Sequence, residues 1–230
     1  MDETLLDNPV WHALGGPHQR FSLTMGEARR YLPDIAPFAA VATPTAGRLE
    51  DVARFVSGDG VAAVLSIDPI EAPPGIEIAS TAVVLQMIAP AFRPVGSEMA
   101  AIEPLAPADV PAMQALVELT RPGPFGTRTI EMGRYLGIKQ GGRLVAMAGE
   151  RMRLDGFTEV SAVCVHPDSR GRGYAKALVS ATGRGIVAKG DVPFLHVYPD
   201  NQPAIAAYEA LGFTGRRRLH FSLFRRASSG

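Results

Sequence analysis

Residues 163–179 read VCVHPDSRGRGYAKALV. Val163, Cys164 and Val165 end an apolar, β-branched run, and Pro167 stops it. From Tyr174 the pattern turns helical, with Leu178, Thr182 and Ile186 on one face and Gly190 as the stop. Between strand and helix lies Arg170-Gly171-Arg172-Gly173. Glycines there let the backbone turn sharply and approach a ligand closely. The first amides of a helix have no internal acceptor, and the helix dipole is positive at that end. A strand that opens through such a loop into a helix makes an anion cradle, and Arg170 and Arg172 add charge to it. The spacing is neither Gly-x-Gly-x-x-Gly nor a Walker loop, so dinucleotide and P-loop chemistry fit poorly.

The flanking patterns supply an α/β framework. Two antiparallel strands turn at Gly141–Gly142 and again at Asp155–Gly156, and Phe157–Val165 is the next strand. Residues 192–198 read as a strand, 202–211 as a helix with Asn201 as N-cap, and 213–225 as a last strand. Residues 107–120 form a helix capped by Asp109 with Pro111 in its first turn, and 127–135 a second short one. The proline- and glycine-rich stretch 88–107 separates this region from the first 97 residues. There, 48–57 has helical spacing, 60–67 and Ile76–Ile88 read as strands, and 1–47 is turn-rich. The expected fold class is α/β (α+β): a mixed sheet flanked by helices over residues 98–230, with a smaller N-terminal α/β region over 1–97.

Composition narrows the function. The 230 residues are 47% hydrophobic and 20% charged, an ordinary globular balance. No apolar run approaches the ~20 residues of a membrane span. The start, MDETLLDNPVWHALGG, lacks the basic lead and apolar core of a signal peptide, so a cytoplasmic chain with no membrane partner is expected. A lone cysteine, Cys164, excludes an internal disulfide and a cysteine-cluster metal site, and no histidine pair has helical i, i+4 spacing. Neither a metal nor a disulfide is therefore expected. Net charge is zero but uneven. Residues 1–97 carry 6 Arg against 11 acidic residues, and 98–230 carry 17 basic against 12 acidic. An acidic half suits a cationic partner and a basic half an anionic one. Arg216-Arg217-Arg218 and Arg225-Arg226 flank Phe221 and Phe224 and read as charges guarding a sheet edge. With no RNA or DNA motif, no nucleic-acid partner is expected.

The loop resembles the signature of the GNAT superfamily of acyl-CoA-dependent N-acetyltransferases, Gln/Arg-x-x-Gly-x-Gly/Ala at the end of that family's fourth strand. Arg170, Gly173 and Ala175 fill its positions. Residues 197–213, VYPDNQPAIAAYEALGF, resemble the family's second motif through Asn201, Tyr208 and Leu211-Gly212-Phe213. The resemblance covers residues 98–225. It implies acetyl-CoA as co-substrate, with its pyrophosphate on the amides of Arg170, Gly171, Arg172, Gly173, Tyr174 and Ala175. It implies splayed fourth and fifth strands, the pantetheine arm lying along Val163, Cys164 and Val165, and Asn201 in the same cofactor site. A backbone N–H near Val165 would stabilise the thioester oxyanion. Cys164, between two valines, reads as a buried small hydrophobe and not a nucleophile.

The implied reaction is transfer of an acetyl group to a primary amine by direct attack in a ternary complex. The acceptor is a small-molecule amine or a peptide amine, Nα or lysine. An acyl-CoA-binding sensor without turnover is the reading from another class, and a homodimer is compatible with the sequence. Residues 1–97 match no family signature and are expected to form part of the acceptor site or a worn second copy of the fold.

Such a reaction needs a base for the amine and an acid for the departing thiolate. Tyr208 matches the tyrosine that many family members place near the CoA sulfur. It also falls on one helical face with Ala204 and Leu211, the pattern of simple packing. Glu159, eleven positions before Arg170, matches the general base of the histone-acetylating branch. On a regular strand it shares a face with Ser161, Val163 and Val165, and burial would raise its pKa. The alternative is a solvated strand-end glutamate. His196 and His166 read as hydrogen-bonded structural histidines and as further base candidates, and His18 could line a substrate site.

Overall fold

The computed structural model describes residues 1–58, 60–96 and 101–227. The boundary expected after residue 97 lies outside the described residues. A 3-10 turn, Glu3–Asp7, leads into α1 (Pro9–Gly15), where Asn8 caps the helix by accepting from the Trp11 N–H at 3.3 Å. A small antiparallel sheet follows, β1 (Ser22–Met25), β2 (Ala28–Tyr31) and β3 (Ala39–Val41), then α2 (Ala46–Ala53). Next come β4 (Val61–Ser66), β5 (Ile76–Ile88), β6 (Ile102–Pro104) and α3 (Val110–Thr120). The chain continues through β7 (Tyr135–Gln140), β8 (Arg143–Leu154), β9 (Phe157–Val165) and α4 (Tyr174–Val187). It ends with β10 (Val192–Val197), α5 (Gln202–Glu209) and β11 (Thr214–Arg226).

Eight strands form one sheet in the order β4-β11-β5-β10-β9-β8-β7-β6. Every pair is antiparallel except β9 with β10. Strands from both sides of the proline-rich stretch thus share one sheet, and β5 lies between β10 and β11. The end of β5, AVVLQMI, is apolar except for Gln86, and its last residues have the pattern of a strand covered on both faces. Its Met87 and Ile88 are buried accordingly. β11 is interior, between β4 and β5, and not the guarded edge expected from its arginines. A register shift between Gly215 and Arg217 leaves Arg216 at a bulge, with its side chain largely buried.

Two layers cover the sheet. On one face α4 and α5 pack Val179, Ile186, Tyr208 and Leu211 over Val160, Leu195 and Phe213. On the other, α3 sets Met113 and Leu116 against Tyr135, Met147 and Cys164. Beside it the N-terminal segment sets Leu6, Val10, Tyr31 and Phe38 against Met152, Phe157 and Phe194. The helix expected at 127–135 is only a 3-10 turn, Thr129–Met132, and Tyr135 already starts β7. Gly133 ends the turn where a Cβ would come within 2.4 Å of the Glu150 Cβ.

β9 is irregular in one place. Gly149 faces Ser161 while Met147 faces Cys164, so β9 carries one extra residue there, and Ala162 has a φ of 51°. The bulge shifts the alternation of side chains. Glu159 points to the α1 and α3 face, whereas Val163 and Val165 pack with the cluster under α4. Glu159, Val163 and Val165 therefore do not share a face, contrary to a regular strand.

Candidate active site

β9 and β10 pair only at Phe157–Val192, Thr158–Pro193 and Glu159–Phe194. Beyond that rung β9 follows β8 as far as Val165, and β10 follows β5 as far as Val197. The strands part, and among the described residues, 160–165 have no strand partner on the β10 side. Unpaired N–H and C=O groups on such an edge suit an amide-rich chain laid along it. Ala162 sits in the middle of this edge in a left-handed conformation, which costs an L-residue on the order of 1–3 kcal/mol.

The free edge runs into the loop. His166 accepts from the Asp168 N–H at 3.3 Å and contacts Arg143, which fixes the turn. Gly171 and Gly173 have φ of 75° and 73°, a region that L side chains avoid. Gly173 is the N-cap of α4, and no side chain caps that helix. Its first amides are therefore open, beside the exposed Arg170 and Arg172. Tyr174 is buried instead, and its hydroxyl accepts from Gln140 Nε2 at 2.7 Å, tying the first turn to β7. Arg170–Ala175 thus form one cradle at the end of the free edge.

Tyr208 lies on the same side. Its ring is tilted against Phe213 at 6.0 Å and belongs to the apolar cluster that Val160, Val163 and Val197 also line. Burial pushes its phenol up to about 12, so it keeps its proton at neutral pH. Cys164 faces the α3 side, buried, with its thiol also pushed up to about 12 by burial, the state of an inert cysteine. Asn201 caps α5 and accepts from the Ala204 N–H at 3.3 Å.

Glu159 lies across the sheet, fully buried. Arg151 Nε and Nη2 donate to its two oxygens at 2.7 and 2.6 Å, and His196 Nδ1 lies 2.8 Å from Oε1. Burial pushes its carboxyl up. The Arg151 guanidinium and the hydrogen bonds from Arg151 and His196 outweigh that and hold it well below the usual carboxylate range. The raised carboxyl expected from burial alone does not arise, because a buried cation sits beside it. Arg151 in turn lies over the Phe38 ring, 5.0 Å from its centroid.

This pair is the end of a polar row that crosses the sheet. Arg216 Nη1 donates to Gln86 Oε1 at 2.9 Å, and Gln86 Nε2 lies 3.1 Å from His196 Nε2. Nothing in the sequence analysis singled out Arg151 or Gln86, and Arg216 was expected only to guard a sheet edge. Gln86 had a signal, being the lone amide in an apolar run; nothing local marked Arg151 as the partner of Glu159. His18 is buried against the Tyr31 hydroxyl at 3.0 Å, and burial pushes it down to about 4. The structure therefore brings together Val163–Val165, Arg170–Ala175 and Tyr208 on one side of the fork, and places Glu159 and His196 on the other.

Comparisons with known proteins agree with this architecture. The family model described as FR47-like protein matches residues 135–222. A mycothiol acetyltransferase of Corynebacterium aurimucosum is 46% identical over 59 residues, 25% of this chain and 19% of that protein. The N-alpha-acetyltransferase RimI of Mycobacterium tuberculosis is 37% identical over 94 residues, 38% of this chain and 57% of that protein. The matched segment thus spans less than two thirds of either curated relative. A crystal structure described as a "putative acetyltransferase from the GNAT family" of Novosphingobium aromaticivorans superposes with a TM-score of 0.90 and 39% identity, over 97% of this chain and 99% of that one. With near-complete coverage at that identity, this chain belongs to the GNAT family of acetyltransferases.

Proposed function

We propose that this chain transfers an acetyl group from acetyl-CoA to an amine by direct attack in a ternary complex. The observation that carries the reading is the unpaired edge at residues 160–165 leading into the uncapped start of α4. The open amides of Arg170–Ala175, with Arg170 and Arg172, hold the pyrophosphate. The edge of Val163–Val165 pairs with the pantetheine amides, and the bulge at Ala162 turns a backbone N–H towards the thioester oxygen. Acetyl-CoA supplies an activated acyl group at the apex of the fork. Tyr208 donates its proton to the departing thiolate, and the proton that the attacking amine loses passes to water. The amine arrives from the face covered by α1 and α3, which residues 1–97 help to build. Glu159 serves there as an anchored anion; the Arg151 fork and His196 already engage both its oxygens, so it is not the atom that takes the amine proton.

The two curated relatives are named for different acceptors, mycothiol and an N-alpha amine, so the acceptor is set by experiment. The full chain is mixed with acetyl-CoA and a panel of polyamines, amino acids, aminoglycosides and peptides with free N-termini or lysines. Thiol release is read against a control without amine. Release with one class supports the proposal and names that class. A raised melting temperature with acetyl-CoA but no release across the panel favours a binding module without turnover. The absence of both release and a thermal shift overturns the cofactor site itself.

A further inference from the structure

We propose that Gln86, on the strand that residues 1–97 insert into the sheet, is a positioning residue that holds His196 as the neutral, Nδ1-protonated imidazole. Gln86 is fully buried and sits in register with His196 on β10 and Arg217 on β11. Its two ends have different obligations. Arg216 Nη1, 2.9 Å away, is a guanidinium nitrogen and can only donate, so it meets the amide oxygen. The Leu6 carbonyl, 2.9 Å from the other end, can only accept, so it meets the amide nitrogen. Both neighbours demand the same amide orientation, which leaves the second N–H of Gln86 aimed at His196 Nε2, 3.1 Å away. That ring nitrogen must then offer a lone pair. The proton resides on Nδ1 and is donated to Glu159 Oε1 at 2.8 Å.

Charge around the ring pulls both ways. Glu159 on β9 favours an imidazolium. Arg151 on β8 and Arg216 on β11 oppose one, with Arg216 itself held by Asp7 at 2.7 Å and by Glu3 at 3.6 Å. His18 and the Tyr31 phenol lie beyond, in the N-terminal layer. A proton on Nε2 would set it against the Gln86 N–H, donor against donor, and the amide decides the balance. The consequence for catalysis rests on the acetyl-transfer reading; the tautomer does not. A neutral ring leaves the apex electrically balanced by the Arg151–Glu159 pair. An imidazolium there would repel a cationic acceptor.

The test is nitrogen NMR of the full chain labelled at histidine, with His196 assigned by its loss in His196→Gln. At neutral pH, Nε2 should show the shift of an unprotonated ring nitrogen and Nδ1 that of a protonated one. In Gln86→Leu the hydrogen bond to Nε2 is gone, and the Nε2 resonance should move as that nitrogen loses its donor. In Gln86→Glu, whose carboxylate can only accept, the proton should appear on Nε2. In Gln86→Leu kcat/KM for the amine should fall, while KM for acetyl-CoA stays put. An Nε2–H tautomer or an imidazolium in the unmodified chain at neutral pH overturns the proposal, whether or not the variants fold. An Nε2 resonance unmoved in a folded Gln86→Leu also overturns it. Absence of turnover with every amine would sink the acetyl-transfer reading and leave the NMR result to judge this one.

Discussion

Replacing Arg151 by methionine probes the core of the polar row. The substitution keeps an unbranched apolar stem over Phe38 but removes both guanidinium donors to Glu159, which is fully buried. Breaking a buried ion pair by removing one partner costs about 3–5 kcal/mol. For a chain of this length, each kcal/mol lowers Tm by about 2–4 °C, so a fall of roughly 6–20 °C is expected. The pH dependence carries the diagnosis. In the native chain the Glu159 pKa is held below its unfolded value. Its contribution is therefore present above about pH 4.3 and lost as the pH falls through the folded value. Without Arg151, only His196 opposes burial, which lifts the folded pKa above the unfolded one. The penalty is then greatest at neutral pH and shrinks as acid neutralises the group. Urea unfolding of both proteins at about pH 7 and pH 5 should show the stability gap narrowing at the lower pH. Adding Glu159→Gln to Arg151→Met should recover most of the loss, because the neutral amide still accepts from His196. A loss in Arg151→Met below about 1 kcal/mol, the range of an exposed pair, would show that Glu159 does not depend on a buried partner. So would a gap that is the same at both pH values.

Tyr208→Phe should lower kcat by about 10²–10⁴-fold with KM for acetyl-CoA little changed, and an unchanged kcat would remove Tyr208 from the reaction. Because burial pushes its phenol up to about 12, steady-state rates should show no loss of the acid form between neutral pH and mildly alkaline pH. Gly173→Ala places a Cβ at a φ of 73°, which costs about 1–2 kcal/mol. Calorimetry should find acetyl-CoA binding weakened by about tenfold if the cradle must reshape to relieve it. Asn201→Ala removes the cap of α5 at a cost of about 1 kcal/mol, and thermal unfolding should show Tm lower by about 2–4 °C.

Sequence alone determined the local structure on one side of the fork. The strand–loop–helix at 163–179, its two left-handed glycines and the capped helix bearing Tyr208 are all contiguous motifs, and short-range sterics and capping dictate them. Phe157–Val165 and Ile76–Ile88 were legible as strands to the residue, because apolar β-branched runs bounded by turns leave little choice. The first 47 residues were opaque, since elements as short as three residues in β3 carry almost no periodicity. Tertiary structure decided the rest. A bulge of one residue at Ala162 turned Glu159 away from Val163 and Val165, and no local pattern announces such an insertion. Pairing across the sheet put β5 between β10 and β11, which joined Gln86 to His196 over 110 residues of chain and Arg216 to Gln86 over 130. The protonation of Glu159 was settled by Arg151, whose guanidinium reaches it only because β8 and β9 pair. Burial fixes the cost of a charge, but which neighbour offsets it is a property of the folded sheet.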